Sequence, residues 1–169
     1  MHFDKKAEAQ LEYYFINTCE LELLMAGARM KVWYGLSPRS DRDRQPLTEE
    51  EIHRILAGLY QKGYVTWEGE TIRVQEPVSS LIRILKHAES CMKIVRNRET
   101  APLLLAYRHG TTYALLEESC TDPDACRFRI LGKESMADYM KEEAGHIAEK
   151  TTIQLGQKAG RDSKGEVIQ

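Results

Sequence analysis

Between Leu47 and Val74 the hydrophobic period of the chain changes once, and the change marks a helix followed by a hairpin. Ile52, Ile55, Leu56, Leu59 and Tyr60 recur at i, i+3, i+4, i+7 and i+8, the spacing that lines one face of an α-helix. Thr48 precedes Glu51 by three residues, so the threonine oxygen can accept from the Glu51 amide while the glutamate accepts from the Thr48 amide, a capping box. Leu47 and Ile52 flank the box as a staple, and Glu49, Glu50 and Glu51 face the positive end of the helix dipole. Gly63 supplies the left-handed residue that ends a helix. The period then falls to two. Val65 and Trp67 alternate with Thr66, and Ile72 and Val74 with Arg73, around a Glu68-Gly69-Glu70 turn, which predicts a hairpin with one apolar face.

Upstream, residues 1–9 are polar and read as frayed. The run LEYYFI at 11–16 reads either as a strand with Leu11, Tyr13 and Phe15 on one face or as the end of a helix begun near Asp4, and its aromatic content favours the strand. Asn17, with Glu20 three residues on, caps a helix whose Leu21, Leu24, Met25 and Ala28 share a face and which is expected to end near Lys31. The segment WYGLSPRSDRDRQP, 33–46, reads as a surface loop.

Downstream, Pro77 suits a first helical position, and Val78, Leu81, Ile82 and Leu85 form another apolar stripe. Four strand-like runs follow, 91–97, 102–108, 111–118 and 126–132, with His109-Gly110 as a tight turn and Asp122-Pro123-Asp124 as a longer one. Short links between successive strands require antiparallel pairing. In the last run Cys126, Phe128 and Ile130 alternate with Arg127 and Arg129, so the two arginines are expected to face solvent or a partner. Ser135 is expected to cap a long final helix with Met136, Tyr139, Met140, Ala144, Ile147 and Ala148 buried. The predicted fold is thus α+β: a winged-helix-like set of N-terminal helices and hairpin (10–90) continuing into an antiparallel sheet of about four strands and a long C-terminal helix (91–155). These form one domain over 1–155, and 156–169 is expected to be a disordered tail.

Composition narrows the function classes. The 169 residues are 42% hydrophobic and 30% charged with a net charge of -2, so nothing draws the chain as a whole to nucleic acid or an acidic membrane. No apolar run approaches the roughly 18 residues that span a bilayer, and the N-terminus lacks a signal-peptide core, so a cytoplasmic location is expected. Cys19, Cys91, Cys120 and Cys126 have no CxxC spacing and are read as free thiols; Cys120 and Cys126 could be bridged across the TDPDA turn, which a reducing compartment disfavours. The five histidines, His2, His53, His87, His109 and His146, lie apart from one another and from the cysteines. No HExxH, GxSxG, phosphate-binding glycine loop or GxGxxG occurs, so no catalytic, metal or cofactor residue is assigned and a non-enzymatic role is expected. Glu117 and Glu118, as strand neighbours, point to opposite faces and do not converge as an acid/base pair.

A helix before a hairpin suggests a DNA reader with a wing, in which Arg54, Lys62 and Arg73 would meet the nucleic acid. The helix would then present three glutamates to the phosphates, so nucleic acid is the disfavoured partner. In the 33–46 loop, Arg39, Arg42 and Arg44 could serve an acidic partner, but Asp41 and Asp43 cancel most of their field.

The order ELELLMAGARM, YGLSP, LTEEEIHRILAGLYQKGYV, hairpin, VSSLIRIL, strand meander and final helix resembles the EspG-like family of type VII secretion-associated proteins and their shorter relatives, over about residues 11 to 150. The resemblance implies a cytoplasmic, non-enzymatic chaperone or adaptor for helical secretion substrates. Larger members of that family look like two similar halves side by side, and this chain matches one half, which implies a homodimer. The chain departs from the pattern in its SDRDRQP insertion, and the resemblance carries over no binding residue.

Overall fold

The computed structural model describes residues 13–30, 46–97, 103–118, 124–155 and 166–168. The capping boxes form as the sequence dictates. Asn17 Oδ1 accepts from the Glu20 amide at 2.8 Å and starts α1 (Thr18–Gly27), and Thr48 Oγ1 accepts from the Glu51 amide at 3.2 Å and starts α2 (Glu49–Gln61). Gly63, with φ of 75°, turns the chain out of α2 into the hairpin β2 (Val65–Glu68) and β3 (Thr71–Val74), and α3 (Val78–His87) follows. Helix α1 stops short of Lys31 because Arg29 takes a left-handed φ of 59°.

The four expected strands are β4 (Ser90–Arg96), β5 (Leu104–His109), β6 (Thr112–Glu118) and β7 (Ala125–Gly132), all antiparallel, with Gly110 at positive φ in the β5–β6 turn. They are the centre of a larger sheet than the expected four strands. Strand β1 (Tyr14–Asn17) joins the β7 edge, β8 (Ile147–Gln154) joins the β4 edge, and the order is β1-β7-β6-β5-β4-β8. A short β9 (Glu166–Ile168), inside the stretch expected to be disordered, pairs with β8; the rest of that tail lies outside the described residues.

Both faces of this sheet are covered, because β5 and β6 each offer four consecutive buried residues, Leu104–Tyr107 and Ala114–Glu117. On one face Leu105, Tyr107, Leu116 and Phe128 pack against Leu21 and Met25 of α1, Leu59 of α2 and Leu81 and Ile84 of α3. On the other, Leu104, Ala106, Leu115 and Leu131 pack against Met136 and Tyr139 of α4 (Lys133–Glu143).

Two expectations about the final helix need correcting, while β1 forms as a strand that turns Ile16 inward, with Tyr14 beside Phe128 and Phe15 64% exposed. Leu11 of that stretch lies outside the described residues. Ser135 does not cap α4, which starts two residues earlier after Gly132 and has no side-chain cap. The final helix also ends at Glu143. A 3-10 turn, Ala144–His146, redirects the chain, and Ile147 and Ala148 belong to β8, where the open edge of β4 supplies backbone partners that a helix could not use. Removing Phe128 should therefore be costly and removing Phe15 should not. Phe128→Ala is expected to lose about 3–5 kcal/mol and Phe15→Ser less than about 0.5 kcal/mol, read by urea denaturation of both variants.

Candidate functional site

The start of α1 and the end of α2 are held together by one carboxylate. Glu20 is 3% exposed, and its Oε2 accepts from the Asn17 amide at 3.1 Å and from Lys62 Nζ at 2.7 Å. A Cβ at Gly58 would lie 3.1 Å from Glu20 Oε1, which explains a glycine in the middle of α2: the helix backbone approaches the carboxylate closely. Two residues past Lys62, Tyr64 donates its hydroxyl to the Phe15 carbonyl at 2.8 Å and so ties the hairpin to β1. Burial, with Glu20 adding to it, raises the Tyr64 pKa and keeps that donor protonated.

Beyond this anchor α1, α2, the hairpin and α3 line a cleft of about 620 Å³. Leu23, Leu24, Gly27 and Ala28 form the α1 wall, Ile52 and Leu56 the α2 wall, and Val65, Ile72 and Val74 the hairpin floor. Helix α3 supplies Ser79, Ile82, Arg83, Lys86 and His87, so among the described residues the charged or titratable groups of the lining sit on that one wall. The hairpin register pairs Val65 with Val74 and Trp67 with Ile72, so all four side chains share one face, and Trp67 carries it past the cleft at 52% exposure. Each apolar stripe was legible in the sequence. That these stripes meet around a cleft was not, because it depends on how the separate elements are placed.

A second charged cluster lies under α4. Arg127 and Arg129 lie over the Tyr13 ring, 4.1 and 4.8 Å from its centroid; Arg127 keeps 41% of its side chain exposed, whereas Arg129, expected to face solvent or a partner, is buried. Glu117, 2% exposed, accepts from Arg96 Nη1 at 2.6 Å and Arg127 Nε at 2.5 Å, and Arg96 Nη2 reaches the Tyr139 hydroxyl at 2.8 Å. Burial pushes the Glu117 carboxyl up, but the bonds from Arg127 and Arg96 outweigh it and hold the pKa below its ordinary 4.5. Burial also lifts Tyr139 to about 12. Both Glu117 oxygens are engaged by a guanidinium, which makes the cluster a brace between the sheet and α4. Glu118 points to the opposite face, as strand alternation requires.

The three cations assigned to a DNA reading are dispersed and matched. Lys62 belongs to the Glu20 anchor, Arg73 Nη1 lies 2.7 Å from Glu68, and exposed Arg54 lies 3.6 Å from Glu50 one turn away. Arg39, Arg42 and Arg44 lie outside the described residues, as do Cys120 and Asp122-Pro123. Cys126 is a free thiol that donates to the Ile16 carbonyl, and burial raises it to about 12; Cys91 is raised to about 11 by burial as well. At those values neither is a thiolate at neutral pH. Among the described residues no three His, Cys, Asp or Glu side chains gather as a metal would require, and no helix is long and apolar enough to cross a membrane.

No family model, curated protein or solved structure matches the chain.

The depressed pKa of Glu117 sets a pH dependence. A carboxylate whose folded pKa lies below its unfolded value contributes stability above the unfolded pKa, and that contribution is lost as pH falls through the folded one. Glu117→Gln is expected to cost about 3–5 kcal/mol at neutral pH by leaving Arg96 and Arg127 facing a neutral amide. It should also soften the acid-induced loss seen in the unaltered protein. Urea melts stepped from neutrality to acid pH read both effects, and a variant as stable as the parent at neutral pH would show that the brace is dispensable.

Proposed function

We propose that this protein is a non-enzymatic protein-binding module whose cleft between α1, α2, the hairpin and α3 receives an apolar segment of a partner. The observation that carries the reading is the continuous apolar track from Leu24 and Leu56 across Val65 and Ile72 to exposed Trp67. Aromatic anchors at the rim of a concave apolar surface are typical of protein interfaces. The resemblance to EspG-like proteins supports a chaperone or adaptor role for helical type VII secretion substrates in the cytoplasm, with a homodimer as the working form.

The winged-helix regulator is the second reading, favoured by the order of α2, Gly63 and the hairpin, with Arg54, Lys62 and Arg73 as its contacts. It is the weaker one because each of those side chains already lies beside a glutamate.

Gly27 provides a clean test of the first reading. It lines the cleft, and a Cβ there meets nothing within 4 Å, so Gly27→Trp should fill the cleft without disturbing α1. Purified protein is expected to elute as a dimer and to recover a partner from its native extract that Gly27→Trp recovers at least tenfold less well. A monomer whose captures are the same with and without the substitution would overturn the proposal. A duplex titration at low salt discriminates the second reading: salt-sensitive affinity lost in Arg54→Ala and Arg73→Ala supports it, and no affinity removes it.

A further inference from the structure

We infer that His87 and His109 form a site for a divalent transition-metal ion of the class that imidazole prefers, Zn²⁺, Ni²⁺ or Cu²⁺. The site lies at the end of α3 and needs no assumption about what the cleft receives.

The two histidines are 22 residues apart in the chain, His87 the last residue of α3 and His109 the last of β5. The fold sets their ring centres 5.8 Å apart, with the planes inclined at 40°. A zinc–imidazole bond of about 2.0–2.1 Å puts the ion about 3.2 Å from the centre of each ring, so two rings share an ion when their centres are closer than about 6.4 Å. The observed separation meets that limit. A small rotation of one side chain aims a nitrogen of each ring at a common point, and there is room for it, since His87 is exposed and the His109 side chain is 41% exposed.

The surroundings favour a cation between the rings. His109 Nδ1 lies 3.1 Å from the His87 carbonyl oxygen, which only accepts, so Nδ1 is the donor and Nε2 of the neutral ring holds the lone pair. That bond is the one by which metal-binding histidines are oriented from their outer nitrogen. The same carbonyl belongs to the last turn of α3, the negative end of the helix dipole. Glu89 adds its charge from 4.0 Å and is kept out of the coordination sphere by the Gly110 amide on Oε1, at 3.0 Å, and by Arg108 on Oε2, at 2.8 Å. Arg108 is thereby matched, and Lys86, next to His87 in the chain, is the charge that opposes the ion. One nitrogen from each ring suffices, because a ligating imidazole keeps its other nitrogen for a hydrogen bond. Among the described residues no third His, Cys, Asp or Glu gathers with the pair, so the remaining positions fall to water and the ion is held less firmly than in a structural site with four protein ligands. Once bound, it ties the end of α3 to the turn between β5 and β6.

The experiment uses the full chain without an affinity tag, titrated calorimetrically with Zn²⁺ and, separately, with Mg²⁺. One equivalent of Zn²⁺ is expected and no Mg²⁺. His87→Gln and His109→Gln should each weaken Zn²⁺ binding by about tenfold or more, while His53→Gln, exposed on α2, leaves it unchanged. Isotope-labelled histidine NMR of the unaltered protein gives a readout that misfolding of a variant cannot mimic: Zn²⁺ should move the Nε2 resonance of His109 and leave its Nδ1 proton in place. No bound Zn²⁺ overturns the inference and leaves the two rings as a packing contact. Zn²⁺ binding that both substitutions preserve, with the His87 and His109 resonances unmoved, overturns it as well, and so does equal affinity for Mg²⁺, which would mark a carboxylate site instead.

Discussion

Strands β5 and β6 are buried on both faces, and most of the architecture follows from covering them. A sheet with one wet face would need a single layer of helices, but Leu104 to Tyr107 and Ala114 to Glu117 turn apolar groups both ways, so a layer is needed on each side. The N-terminal helices cover one face and α4 the other. The constraint also traps Glu117, which sits on a doubly buried strand with its carboxylate in the α4 layer. Burying that charge is tolerable only because Arg127 reaches it from the neighbouring strand β7 and Arg96 from β4, two strands away. The arginine face of β7, which looks like a solvent face in isolation, is therefore only partly one: Arg129 is buried, and Arg127, 41% exposed, reaches inward to Glu117.

The helical layer is built around a second buried carboxylate. Glu20 caps α1, pairs with Lys62 and is approached by Gly58, so three separate local features of the sequence converge on one group. This anchor fixes the lower ends of α1 and α2 against the sheet. The cleft lies farther along the two helices, between the later turns of α1, the earlier turns of α2, the hairpin and α3. The cations that a DNA-reading surface would need lie beside carboxylates, and Arg83 on α3 shares Ser80 with Glu76.

Most of what is governed by residues three or four apart was legible in the chain, the Ser135 cap excepted. The capping boxes at Asn17 and Thr48, the stop at Gly63, the hairpin about Gly69 and the central strands follow from local hydrogen bonding and periodicity, which act within one turn or one pair of strands. Pairings between distant segments were not legible. Ile147–Gln154 has no strict alternation, and it is a strand because β4 has an open edge; Phe15 points outward because β1 docks on β7 with Ile16 inward. The cleft belongs to the same class. The sequence determined how much apolar surface each helix and the hairpin offer, and only the tertiary structure decided how much of it is covered, because coverage depends on the angles at which separate elements meet.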